Sequence, residues 1–234
     1  MKIPCLLLAI VTVNLTAVLT QASASVVVAP INLGPGSTVS PLPNGFSSGD
    51  GIPQTLLYDQ SEGFSFADGL TGILRDRVIQ YSDAPSALHP GLYFDYEVQL
   101  ASGSITAITI SGYSTFGTSV KVCGITGCGG SGANGIVPTS ASRSVDGNEI
   151  AFDFGDILAA GQHSANLQIF SSASLFEDPL ALLTDSSGNS FSIDVVGPLA
   201  TDIPEPATWA MMITGFVSVF FMSRRRSSTS VKVA

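Results

Sequence analysis

The side chains with chemistry to offer are few: three cysteines, two histidines and scattered acids in a chain of 234 residues. Cys123 and Cys128 flank Gly124-Ile125-Thr126-Gly127. Such a stretch lets a tight turn bring two thiols together, and the spacing is not the Cys-x-x-Cys of redox motifs. His89 sits before Pro90 in a loop-like stretch and His163 opens an apolar run, and no cysteine or acid stands near either in a zinc-like pattern. Asp146-Gly147-Asn148-Glu149 gathers oxygens as a hard cation requires. The candidate ligands are Asp146, Asn148 and Glu149, but the spacing is not an EF-hand loop, and Asp-Gly-Asn is also a common hairpin turn. Asp95 with Glu97, and Asp153 with Asp156, are carboxylate pairs of the kind a glycosidase uses. Their ordinary reading is the solvated face of an amphipathic strand. Tyr93, Tyr96 and Tyr113 are candidates for stacking on sugars, although isolated surface aromatics need no ligand.

No constellation among these groups specifies a reaction. A Ser-His-Asp set can be assembled on paper from any serine-rich chain with two histidines. No nucleophile elbow and no His-Glu-x-x-His are expected. The glycines from Gly124 to Gly135 lack the lysine and the helix of a phosphate loop. No catalytic residue, cofactor or resident metal is assigned.

The elements that carry these residues read as strands. Leu92, Phe94, Tyr96, Val98 and Leu100 alternate with Tyr93, Asp95, Glu97 and Gln99, the period of two that marks a strand with one buried face. The same alternation runs through Ile150-Phe152-Phe154, Ala165-Leu167-Ile169 and Phe191-Ile193-Val195, and Ile105 to Ile110 is a β-branched run. Weaker strands are expected at Leu56 to Asp59, Gly63 to Phe66, Val78 to Tyr81 and Ser119 to Cys123. Ala101-Ser102-Gly103, Asp146-Gly147-Asn148 and Ser187-Gly188-Asn189 are the turns between them. Leu175 to Leu183 is the one stretch with room for a turn of helix, limited by Pro179. Phe94, Tyr96 and Phe152 are expected to face inward. The predicted fold is all-β, a Greek-key or jelly-roll-like β-sandwich.

Both ends of the chain differ from this middle. Met1-Lys2 precedes an apolar run from Ile3 to about Leu19, and Ala22-Ser23-Ala24 is a small-x-small exit. That order describes a signal peptide for the Sec export machinery, cut by signal peptidase after Ala24. At the other end, Ala207 to Met222 carries no charge and is followed by Arg224, Arg225 and Arg226. Sixteen residues of helix span about 24 Å, short of a full bilayer core. Snorkelling arginines and local thinning close the gap. Trp209 suits the outer interface and the arginines the cytoplasmic side.

Six segments follow. They are a signal peptide (1–24), a Pro/Gly/Ser-rich lead-in (25–50), a β-sandwich ectodomain (51–198), a linker with the Pro-Glu-Pro motif (199–206), a transmembrane helix (207–223) and a basic cytoplasmic tail (224–234). In an exported chain whose Cys5 leaves with the signal peptide, Cys123 and Cys128 are expected to pair. Residues 25 to 203 hold four basic and seventeen acidic side chains, a net charge of −13. That field repels nucleic acid and acidic polymers.

Pro204-Glu205-Pro206, then Ala207-Thr208-Trp209-Ala210, then the apolar run and arginine cluster resemble the PEP-CTERM sorting signal in its Pro-Glu-Pro-x-x-Trp-Ala variant. The resemblance covers about residues 203 to 226. It implies recognition of the tripeptide by an exosortase-type processing enzyme, removal of the helix and transfer of the remainder to the cell surface. It also implies a Gram-negative host that builds exopolysaccharide. Prolines on both sides of Glu205 keep its backbone extended and out of competing pairing, which suits a substrate segment. The expectation is an inner-membrane-anchored precursor that becomes a cell-surface or extracellular protein. Its part would be structural or adhesive, in the envelope or exopolysaccharide matrix. A carbohydrate-binding module and a secreted hydrolase are the alternatives.

Overall fold

The computed structural model describes residues 28–45, 53–87, 89–125 and 134–199. The signal peptide, the sorting motif, the apolar helix and the basic tail lie outside these residues. These residues form β1 (Ile31–Asn32), β2 (Thr38–Val39), β3 (Gln54–Ser65), β4 (Thr71–Tyr81), β5 (Leu92–Ser102), β6 (Ser104–Ile110), β7 (Thr118–Cys123), β8 (Ser140–Arg143), β9 (Ile150–Ala159), β10 (Asn166–Ser171), β11 (Phe176–Glu177), β12 (Leu180–Asp185), β13 (Ser190–Asp194) and β14 (Gly197–Pro198). Among the described residues there is no helix. The first sheet has the order β1-β7-β10-β5-β4-β3, the second β13-β12-β6-β9-β8-β2, and β11 pairs with β14. Every pairing between these strands is antiparallel.

Alternation fixes which face each strand buries. Phe94, Tyr96 and Val98 of β5, Leu167 and Ile169 of β10, and Val120 and Val122 of β7 enter one hydrophobic cluster. Ile108 of β6, Phe152 and Phe154 of β9, and Leu183 of β12 enter it from the second sheet. Phe94, Tyr96 and Phe152 are fully buried, as the sequence period requires. At the end of β5 the chain changes sheets through Gly103, whose φ of 78° is open to glycine at little cost. A Cβ at that position would approach the Leu70 side chain to 2.9 Å.

Two expectations about local structure need correction. Leu175 to Leu183 forms no turn of helix: Phe176–Glu177 and Leu180–Asp185 are extended, with Ala181 and Leu183 turned into the core. Pro179 between them lacks the N–H a helix would use. The strands expected at Leu56 to Asp59 and Gly63 to Phe66 are one strand, β3, paired with β4 along its length through a bulge at Leu56/Tyr58. The lead-in is also more ordered than its composition suggests, since Leu33 and Leu42 are buried in the main core.

Asp146-Gly147 closes the β8–β9 hairpin. Gly147 has φ 76°, its N–H donates to the Ser144 carbonyl at 2.9 Å, and Asp146 Oδ1 accepts from the Asn148 N–H at 3.0 Å. Beneath this turn lies Arg143, 5 % exposed. Its Nε donates to Gly147 O, Nη1 to Leu33 O and Thr118 Oγ1, and Nη2 to Tyr113 O and Phe116 O, at 2.6–3.1 Å. One guanidinium thus joins the lead-in, the β6–β7 connection and the hairpin. It does so with carbonyls and a hydroxyl, and burial lowers its pKa from the ordinary arginine value.

Candidate functional site: the outer face of the first sheet

A strand in mid-sheet has two faces, and β5 is buried on both. The outward residues Tyr93, Asp95 and Glu97 are buried along with the inward ones. The expected solvated carboxylate face is therefore corrected: Asp95 is 2 % and Glu97 4 % exposed. Tyr93, Tyr96 and Tyr113 are likewise buried and offer no surface for stacking on sugars. Tyr96 and Tyr113 share a hydrogen bond of 3.1 Å within the core, and Tyr96 Oη donates to Val196 O at 2.6 Å.

Register places the outward side chains in rows across the sheet. One row runs Lys121, Gln168, Asp95, Arg77, Asp59 through β7, β10, β5, β4 and β3. Opposite charges meet twice in it, Arg77 on Asp95 and Arg77 beside Asp59. Cross-strand pairs of this kind contribute roughly 0.2–1 kcal/mol each. Tyr93 Oη also donates to Asp95 Oδ2 at 3.2 Å. Burial still outweighs these partners and pushes Asp95 up to about 6. Burial pulls Lys121 down to about 8, and its Nζ donates to Val28 O at 3.2 Å.

The row toward the Gly103 end pairs Arg75 with Glu97 and Ser61 with Arg75. Arg75 turns to Asp59, which it holds through Nε and Nη2 at 2.8 and 2.7 Å. Neither oxygen of Glu97 has a hydrogen-bond partner among the described residues. His163 Nδ1 lies 3.8 Å from Glu97 Oε1. In the opposite direction Ile79, Tyr81, Tyr93 and Phe170 make a second apolar cluster. His89 stacks on Tyr81 with ring centroids 3.7 Å apart.

His89 also tests the nucleophile question. Its Nδ1 lies 2.9 Å from Asp83 Oδ1, which resembles the base and orienting acid of a triad. Ser86 Oγ, however, donates to Asp83 Oδ2 and accepts from the His89 backbone N–H. The hydroxyl thus belongs to the loop that holds the imidazole, and the ring is 2 % exposed. The sequence does contain one Gly-x-Ser-x-Gly string, Gly45-Phe46-Ser47-Ser48-Gly49, which the expectation of no elbow passed over. Only Gly45 falls within the described residues, where its N–H donates to Val122 O at 3.1 Å.

A second polar region opens between the edge strands β3 and β13. Tyr58, Glu62, Asp76, Asp178 and Asp194 surround a cavity of about 210 Å³, without a basic side chain among its described lining residues. Asp76 Oδ2 accepts from Val196 N–H at 2.6 Å, yet burial raises its pKa to about 6. Burial and these acids also raise the Tyr58 hydroxyl. Among the described residues no group of three or more His, Cys, Asp or Glu is arranged to hold a metal ion.

The other sequence candidates fall as follows. Asp146 Oδ1 accepts from Ser144 Oγ and Asn148 N–H, and Asn148 Oδ1 accepts from Gly112 N–H. Glu149 N–H donates to Ser144 Oγ. These groups are brought together by the turn's own bonding. Cys123 is disulfide-bonded, and Cys128, its expected partner, lies outside the described residues. Ala22, Ala24, Pro204, Glu205, Pro206, Trp209, Ala210 and Arg224 to Arg226 lie outside them too. No protein-family model matches the chain, and neither does any curated protein or solved structure.

Proposed function

We propose that this chain is an exported cell-surface protein, sorted by a PEP-CTERM signal and processed by an exosortase-type enzyme. Its ectodomain is a Greek-key or jelly-roll-like β-sandwich with a non-catalytic, structural or adhesive role in the envelope or exopolysaccharide matrix. The observation that carries the reading is the order of the C-terminal segment. Pro204-Glu205-Pro206 stands ahead of Trp209, an uncharged run and then Arg224, Arg225 and Arg226. Two antiparallel sheets that share one core support the sandwich. A disulfide at Cys123 agrees with an oxidising compartment.

The test is replacement of Pro204, Glu205 and Pro206 by alanine in the native host. Export and membrane insertion should persist while processing stops, so that a full-length membrane form accumulates with its tail attached. Deletion of Arg224 to Arg226 should fail differently, because the helix loses its cytoplasmic stop. A triple-alanine variant that sheds its tail like the wild type would reduce the tripeptide to a linker.

A further inference from the structure

We propose that the cleft between the edge strands β3 and β13 binds an organic cation, an alkylammonium or guanidinium group that carries a hydrocarbon chain. The inference goes beyond the sorting reading above and does not depend on it. Register builds the cleft. Gln60, Asp76 and Tyr96 are paired across β3, β4 and β5, and Tyr96 lies in the core, so Gln60 and Asp76 share the core-facing side. At this margin of the sandwich Tyr58, Glu62 and Asp76 meet Asp178 and Asp194 around the cavity of about 210 Å³. Asp76 is 5 % exposed, and its Oδ2 is taken by the Val196 N–H. Its Oδ1 accepts from no other described residue and, unlike the oxygens of Glu97, is not closed off from solvent, so it stands open to the cavity. A carboxylate oxygen that is deep, open and without a donor is a place where a donor arrives from outside the fold.

The placement of the basic side chains selects the sign of the ligand. Residues 25 to 203 hold only Arg75, Arg77, Lys121 and Arg143, and all four are engaged elsewhere. Arg75 holds Asp59 and Arg77 holds Asp95 on the outer face of the first sheet, Lys121 donates to Val28 O, and Arg143 holds carbonyls beneath the β8–β9 hairpin. His89 and His163 stand beside Asp83 and Glu97. Glu62, Asp76, Asp178 and Asp194 are thus left without an ion pair among the described residues. A cleft lined by one sign of charge concentrates the other. The spread of the acids selects the size of the cation. Calcium takes roughly six to eight oxygens at about 2.3–2.6 Å, and no three of these acids are gathered for that. The several N–H donors of an ammonium or a guanidinium reach separate carboxylates at hydrogen-bond length, and the Tyr58 ring adds an aromatic wall. The hydrocarbon has its own place. A cavity of about 380 Å³ shares Glu62 and Asp194 with the first and is walled by Phe64, Phe66, Leu180 and Ile193. Leu180 is 50 % exposed, so an alkyl chain laid there covers apolar surface that the fold leaves wet.

The experiment is titration calorimetry on the full chain in detergent micelles. Agmatine and spermidine supply free guanidinium and ammonium groups. Alanine-based pentapeptides with one lysine or arginine beside a leucine supply the same groups from a protein source. Glutamate, glucose and calcium chloride are the control arms. Saturable binding of at least one cationic probe is expected, with a loss of about tenfold in Asp76→Asn and about threefold in Glu62→Gln. The amide oxygen left by Asp76→Asn still accepts from the Val196 N–H, and Glu62 is exposed, so both variants keep the bonds of the fold. Glu149→Gln, the same loss of charge in the β8–β9 hairpin, should bind like the wild type. Leu180→Ser should weaken the peptides more than spermidine. Binding of the peptides alone assigns the cation to a partner's side chain and binding of agmatine or spermidine alone assigns it to a free amine, and either supports the site. The proposal is overturned if no cationic probe binds, if calcium binds in their place, or if Glu149→Gln loses as much affinity as Glu62→Gln. The last result is the mark of diffuse attraction to a domain of net charge −13. Tail processing reads the sorting signal alone, so failure at the cleft leaves the surface-protein reading standing, and the reverse also holds.

Discussion

Arg143 and Glu97 are both charged, both about 95 % buried and both at strand positions, yet they sit in opposite bonding states. Arg143 makes five hydrogen bonds to acceptors from three stretches of chain. Glu97 makes none among the described residues. A buried charge is therefore not in itself a sign of function. Where the fold supplies every partner, the charge holds structure; where it supplies no hydrogen bond, the charge costs the fold stability.

The comparison breaks most readily at Arg143. Arg143→Met should lower stability to unfolding by about 3–5 kcal/mol, because it strands buried acceptors in three connections at once. Phe152→Ala, a fully buried ring, gives the scale at about 3–5 kcal/mol. Urea titration of both variants measures the two side by side, and a cost below about 1 kcal/mol at Arg143 would dissolve the contrast.

A pH profile sharpens it next. Asp76 and Asp95 have folded pKa values raised to about 6, above the ordinary carboxyl value of 3.8. In that window the folded state binds more protons than the unfolded chain, so these groups weaken the fold as pH rises from about 4 to 6. Stability should therefore increase when pH is lowered from 7 to 5, by about 1 kcal/mol from Asp76, the part of its shift that titrates over that range. Below about 4 it should fall, since Asp59, Asp83, Asp146 and Asp185 have lowered values from bonds made as carboxylates. Thermal midpoints between pH 3 and 8 check the profile, and Asp76→Asn should flatten its upper arm. The smallest effect is expected at Glu97→Gln, a gain in stability rather than a loss, because a buried carboxylate without hydrogen bonds is exchanged for a neutral amide.

The strands that matter were legible where one face is oily. The alternation of Leu92 to Leu100 placed Phe94 and Tyr96 inward, and Asp146-Gly147 marked its hairpin. The same alternation misled about the other face of β5. Period two says that a face is polar, not whether it is wet, and that depends on neighbours such as Gln168 and Arg77 that the strand does not encode. Ser140–Arg143 went unseen because Ser-Ala-Ser-Arg has no β-branched residue, and its Arg143 finds partners as distant as Leu33. The acidic cleft combines β3, β4 and β13, and no spacing within one strand announces it. The sorting signal is the opposite case, a short contiguous string that can be read without a fold.

One consequence concerns the order in which the molecule forms. Ile31 pairs with Val120, Thr38 with Ser142, and the Val196 amide closes on Asp76 while its carbonyl receives Tyr96. Contacts of such sequence separation give a high contact order, and two-state domains dominated by them fold in milliseconds to seconds. The first short strands cannot find their partners until residues 120 and 142 are available, and Asp76 must wait for Val196. A polypeptide made or threaded from its N-terminus therefore completes its fold only when its last strands arrive.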